Sequence, residues 1–286
     1  GDVEALADRL GVGERQLRRL FQQHLGASPI AVAQTRRVLL AKQLIHETRL
    51  PMAEVALAAG FGSVRRFNET FQQLYHRPPA TLRRLGGAEI AAGEGGASSI
   101  RLPYRAPYDW SAMLAFLAAR AIPGVEAVKD GRYHRALAIG EDRGVVTVER
   151  GEGSYLKVTL RFPKVRAWPA VLTRVRRVFD LAADPMVIEA HLSEDPDLAP
   201  LVAARPGLRA PGAWDGFELA VRAVLGQQIT VVAARNLAGK LTAAHGEPLA
   251  DEAANRLGIT HFFPQAQRLA AMDVATLPMP RARGQA

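Results

Sequence analysis

A chain of 286 residues, 48% of them hydrophobic, can hold two or three domains with cores of their own, and its formal charge of +9 favours an anionic partner. It has no cysteine, which excludes a disulfide framework, a thiol nucleophile and a cysteine-ligated metal. With no cysteine to oxidise, an intracellular, reducing setting fits; no apolar run approaches membrane-spanning length and no signal-peptide pattern opens the chain, so no membrane partner is expected. The first residue is Gly1 rather than Met, which points to a piece of a longer product.

The first eighty residues carry one pattern twice. Val3, Leu6, Ala7 and Leu10 recur at helical spacing and Gly11 follows as a turn. The spacing then predicts a second helix over Glu14 to His24, with Leu17, Leu20 and Phe21 facing inward. About fifty residues on, Val55, Ala58 and Ala59 lead to a turn at Gly60. Ser63 is placed to cap the next helix, on which Phe67 and Phe71 pack inward. Each copy continues through Phe-Gln-Gln to a proline, Phe21-Gln22-Gln23 to Pro29 and Phe71-Gln72-Gln73 to Pro79. Two short helices joined by a glycine turn form a helix-turn-helix, whose second helix enters the major groove of DNA. Its outward residues are Arg15, Gln16, Arg18 and Arg19 in the first copy and Val64, Arg65, Arg66, Asn68 and Glu69 in the second. Arginine matches the acceptor pair of guanine, glutamine matches adenine, and either can hold phosphate. Between the copies, Pro29 to Glu47 reads as one long helix with Val32, Leu39, Leu40 and Leu44 as its buried stripe.

Residues 86–99 are rich in Gly, Ala and Ser and read as a flexible linker. Alternation then predicts strands over Arg135–Ile139, Gly144–Glu149 and Tyr155–Arg161, separated by glycine-containing turns. From Trp168 the period is helical again, with breaks at Pro185, Pro206, Pro211 and Pro264. The fold class that follows is α+β multidomain: an all-α tandem helix-turn-helix domain over 1–85, the linker, a small antiparallel-sheet α+β domain over 100–204, and the start of an all-α domain over 205–286. The seven histidines are scattered without ligand spacing, and no glycine loop has the context of a phosphate cradle, so no metal and no cofactor are predicted.

The Gly60-Phe61 turn, the spaced Phe67 and Phe71, and Pro78-Pro79 resemble the AraC family of regulators over nearly all of residues 1–85. That resemblance implies base reading by the outward residues named above. Further on, Leu102-Pro103-Tyr104-Arg105-Ala106-Pro107-Tyr108-Asp109-Trp110, the helix from Met113 to Arg120, Arg205-Pro206-Gly207-Leu208-Arg209-Ala210-Pro211-Gly212, Leu225-Gly226-Gln227-Gln228-Ile229-Thr230 and Phe263-Pro264 follow one another in the order of AlkA-type DNA-3-methyladenine glycosylases. The likeness runs from their sheet domain into their helix-hairpin-helix domain.

An alkylated purine carries positive charge, which stacks well on aromatic faces and makes it a good leaving group. It must first be swung out of the duplex, and a side chain filling the gap offsets part of that cost. Periodicity alone makes Phe116 ordinary core packing; the resemblance makes it a pocket aromatic. Gln228 reads by itself as a polar helix end and by resemblance as the wedge, where the usual family residue is apolar. The family's catalytic aspartate follows a glycine-rich hairpin, and residues 280–286 align just before it, so no catalytic residue is assigned; Asp215 and Asp273 read as helix-end caps. The resemblance thus implies a cytoplasmic, nucleoid-associated bacterial regulator fused to a base-excision glycosylase. A methyl-accepting zinc domain is expected upstream, the partners are operator and alkylation-damaged double-stranded DNA, and contact with RNA polymerase is possible. These residues on their own are expected to bind DNA without releasing bases. The alternative is an AraC-type regulator whose carboxyl-terminal sheet domain senses a small molecule.

Overall fold

The computed structural model describes residues 3–85 and 97–271. The chain divides into two compact units, Gly1–Ala91 and Ala92–Ala286.

The first unit contains α1 (Val3–Leu10), α2 (Glu14–Leu25), α3 (Pro29–Glu47), α4 (Met52–Ala58), α5 (Val64–Tyr75) and α6 (Pro79–Leu85). The duplication is visible in the backbone. Both turns need a left-handed residue and have glycine there, Gly11 at φ +66° and Gly60 at φ +82°. Each turn is closed by the same bond across five residues, Val12 N–H to the Ala7 carbonyl and Phe61 N–H to the Ala56 carbonyl. The Ser63 hydroxyl accepts from Arg66 N–H at 3.2 Å, capping α5 as its position in the sequence predicts. The two cores differ in size. The first is Val3, Ala7 and Leu17 with partly buried Leu6, Val12 and Phe21 around them. The second has Phe61, Phe67 and Phe71 buried, with ring centroids 5.3 and 4.8 Å apart in sequence order.

Helix α3 differs from its predicted stripe. Pro29, Val38, Ala41, Leu44 and Ile45 are buried, whereas Leu39 is 58% exposed and Val32 and Leu40 are half-buried. Apolar residues lie on nearly every side of this helix, so periodicity does not choose a face. Packing against α4 and α6 does.

The second unit opens with β1 (Ser98–Pro103) and α7 (Trp110–Arg120), followed by β2 (Glu126–Lys129), β3 (Arg132–Ile139), β4 (Asp142–Arg150) and β5 (Tyr155–Arg161). A single 3-10 turn, Val165–Ala167, leads into α8 (Trp168–Val178), then α9 (Pro185–Leu192), α10 (Ala199–Ala204), α11 (Gly216–Leu225), α12 (Val231–His245), α13 (Glu252–Asn255) and α14 (Ala266–Ala270). The five strands form an antiparallel sheet in the order β1-β5-β4-β3-β2. β1 and β2 were not among the predicted strands, and β1 takes in Ser98 and Ser99 from the compositional linker. The rest of that linker, 86–96, lies outside the described residues.

One sheet face carries the cross-strand rows Ile100–Val158–Val148–Tyr133 and Leu160–Val146–Arg135, all buried. The other face, through Ala136 and Val145, packs on Ala254, Ile259 and Phe262. Helices α11 and α12 join the end of α7 through a core of Ile122, Val125, Leu225, Ala238 and Leu241. The loops are tied by Arg209, which is buried and donates to the carbonyls of Arg105, Pro107, Asp180 and Ala183. Gly207, at φ +78°, lies against this junction. A Cβ there would come 2.5 Å from the Pro107 carbonyl carbon and the Tyr108 nitrogen.

Candidate DNA-reading helices and base pocket

In the first unit all nine predicted base-reading residues are exposed: Arg15, Gln16, Arg18 and Arg19 on α2, and Val64, Arg65, Arg66, Asn68 and Glu69 on α5. Leu17 and Phe67, which occupy equivalent places in the two copies, turn inward and hold the opposite faces in place. Two arginines are paired along their own helices, Arg18 with Glu14 at 2.7 Å and Arg65 with Glu69 at 2.8 Å. Val64, Asn68 and Glu69 also border a concavity of about 780 Å³, together with Met52, Pro78 and Pro79.

In the second unit a cavity of about 620 Å³ lies between α7, the loop before α11, and α12. Phe116 on α7 lines it with 37% of its surface exposed. Trp214 lines it from the loop, Ile229 from the turn between α11 and α12, and Val231 from the start of α12. Phe116 is thus brought to the same cavity as that turn. Gln228 sits within the turn, exposed and held at φ +56°, a left-handed geometry uncommon for a residue with a side chain.

The cavity wall rests on charges that sequence reasoning missed. Arg135, on the buried sheet face, pairs with Glu126 of β2 and Glu218 of α11. Arg222, one turn beyond Glu218, reaches Glu126 at 2.6 Å and Glu218 at 2.8 Å. Two carboxylates and two guanidiniums therefore neutralise one another in a nearly dry site. Burial opposes ionisation of Glu218, but Arg135 and Arg222 outweigh it and hold the carboxyl below its usual range. Trp214 lies parallel to Tyr133, centroids 5.9 Å apart, and its indole N–H donates to the Tyr133 hydroxyl at 2.8 Å. The only sequence signals for this network were Glu218 and Arg222 at helical spacing and an arginine inside an apolar strand.

Asp215 borders the same cavity and is the N-cap of α11, accepting from Phe217 N–H at 2.9 Å and Glu218 N–H at 3.2 Å. This agrees with the capping reading; Asp273 lies outside the described residues. Among the described residues no cluster of three or more histidine or carboxylate side chains could hold a metal ion, and no helix is long and apolar enough to cross a membrane.

The architecture is that of a tandem helix-turn-helix unit followed by a sheet-and-helix unit of DNA-glycosylase fold. Residues 6–85 match the helix-turn-helix domain family and residues 99–215 the AlkA N-terminal domain family. The chain joins an AraC-type helix-turn-helix domain to an AlkA-like domain, as the sequence motifs indicated. It is 41% identical over 283 residues to the "Probable bifunctional transcriptional activator/DNA repair enzyme AlkA" of Mycobacterium tuberculosis strain H37Rv, covering 98% of this chain and 56% of that protein. It is 41% identical over 189 residues to DNA-3-methyladenine glycosylase 2 of Escherichia coli K12, covering 65% of this chain and 63% of that one. The chain thus spans less than two thirds of either relative. A 3-methyladenine DNA-glycosylase structure from Archaeoglobus fulgidus superposes with a TM-score of 0.56 at 21% identity, over 65% of this chain and 63% of that one, a likeness of fold.

Proposed function

We propose that the protein is a sequence-specific, double-stranded-DNA-binding transcription regulator fused to a base-excision glycosylase for alkylated bases. In this reading the outward residues of α2 and α5 read an operator, and the cavity in the second unit receives an alkylated base turned out of the duplex. The observation that carries it is Phe116 lining a 620 Å³ cavity beside the turn that holds Gln228. A purine fits that volume, and an aromatic floor favours one whose ring is positively charged. The neutralised Glu126–Arg135–Glu218–Arg222 cluster keeps the wall rigid without adding net charge.

Gln228 is the wedge in this reading. Its left-handed backbone and exposure suit a side chain that enters the gap left by the flipped nucleotide, where the amide can hydrogen-bond the orphaned partner base. The three carboxylates on the cavity are occupied, Glu126 and Glu218 by arginine and Asp215 by the α11 backbone, so none of them is proposed as the catalytic acid. We assign base release no residue within 1–286. The sensor-domain alternative is not favoured, because residues 99–215 match the AlkA N-terminal domain.

Equilibrium binding of this chain to two duplexes tests the reading. A duplex with a pyrrolidine abasic-site mimic should bind several-fold tighter than its undamaged counterpart at the same salt. Equal affinity would overturn the base-pocket assignment.

A further inference from the structure

The Phe116 ring, the candidate cation-binding surface, already carries a cation. The guanidinium carbon of Arg120, one helical turn further along α7, lies 3.8 Å from the centroid of the Phe116 ring. Arg120 is exposed, lines the same cavity, and makes no ion pair among the described residues, although Glu126 and Glu218 stand on the same wall. Those two carboxylates are taken by Arg135 and Arg222. The α7 end that carries Arg120 is fixed, because Arg222 donates to the Arg120 backbone carbonyl at 2.8 Å. A flat, delocalised cation therefore rests on the aromatic floor, held in place by an anchored backbone and free to leave through its flexible side chain.

We propose that Arg120 is a plug, which covers Phe116 in the empty state and competes with an entering cationic base for that ring. The inference rests on the base-pocket reading above. A guanidinium and an alkylated purine ring are both planar cations and compete for one π-face; they also repel each other across the cavity. A neutral base gains little from the ring, so its binding leaves the arginine in place. A cationic base gains the stacking that the arginine gives up, and the displaced guanidinium returns to solvent or to the DNA backbone. The plug thus weakens the binding of free cationic bases selectively, and the cost is offset where the displaced guanidinium meets a DNA phosphate.

The test uses the whole chain and two free ligands, the fixed cation 3,9-dimethyladeninium and neutral 9-methyladenine, titrated by calorimetry into wild type, Arg120→Ala and Arg120→Ala/Phe116→Leu. Thermal melting checks that the exposed substitution leaves the fold intact. The proposal expects Arg120→Ala to bind the cation about two- to thirtyfold tighter, the range of a cation–π contact, with neutral affinity changed less than twofold and the gain lost in the double variant. If Arg120→Ala binds the cation no tighter than wild type while wild type already prefers the cation, the plug is wrong and the pocket reading stands. If no variant prefers the cation, both fall.

Discussion

Arg222 and Glu126, 96 positions apart in sequence, meet at 2.6 Å, Nη2 to Oε1, in the wall of the cavity that Phe116 lines. With Arg135 and Glu218 they tie β2, β3 and α11 together. Arg135→Met should strand carboxylate charge in a dry site and cost about 3–5 kcal/mol in urea unfolding. Arg135→Met/Glu218→Met, which leaves one arginine and one glutamate paired, should recover much of that loss. A double variant as unstable as the single one would show that Arg135 matters through packing instead.

Arg209 is the sole donor that gathers the carbonyls of Arg105, Pro107, Asp180 and Ala183 among the hydrogen bonds described. Arg209→Met keeps much of the stem and removes every donor, so it should lower stability by about 3 kcal/mol or more. The melting temperature of the second unit is the readout; a change within experimental scatter would mean that water replaces the guanidinium.

His134 is buried on β3 with Nδ1 3.0 Å from the Thr147 hydroxyl, and burial, aided by Arg132 and Arg161, holds its pKa below the usual 6.5. The unfolded chain therefore takes up this proton first. The contribution to stability is complete above pH 6.5 and is lost as pH falls from there through the folded pKa. Between pH 7.5 and 5.0 the wild type should lose more melting temperature than His134→Gln, and equal losses would contradict the assignment.

In the reading helices, Arg66 is exposed on α5 and carries none of the helical pairing seen for Arg65 with Glu69. If Arg66 reads a base edge, Arg66→Ala should cost about 1–3 kcal/mol on the operator and relax preference at one base pair. If it holds a phosphate, binding should weaken alike on all sequences and the salt slope should fall by about one. Unchanged affinity and slope would remove Arg66 from the interface.

Gln228→Ala removes both the filling and the amide of the proposed wedge, whereas Gln228→Leu removes the amide alone. On a duplex with an abasic-site mimic, alanine should weaken binding more than leucine, and leucine by about 0.5–1.5 kcal/mol, one hydrogen bond. Wild-type affinity in both variants would dismiss the wedge.

Much of the first unit was legible because each boundary is set locally. Gly11 and Gly60 sit where the turn demands a left-handed residue, and Ser63 caps the helix that it precedes. The buried face of α3 was not legible, since Leu39 and Val38 are equally apolar and only the neighbouring helices separate them. In the second unit β1 escaped because Ser98 and Ser99 look like linker and gain their strand geometry by pairing with Leu160 and Thr159 far along the chain. The candidate site was half legible: Phe116 and the Gln228 turn carry motif signals, while Trp214 and the four-charge cluster are assembled from segments whose meeting no local pattern encodes.

The reach of Arg209 back to residue 105, across 104 positions, also orders events on the ribosome. A nascent chain can complete the tandem helix-turn-helix as soon as α6 has emerged, because its contacts close within the first 85 residues. The sheet has no such freedom: its loops stay unfastened until the arginine is synthesised, and Arg135 lacks one of its carboxylates until residue 218 follows. The amino-terminal unit is therefore positioned to mature during translation while the remainder waits for later codons.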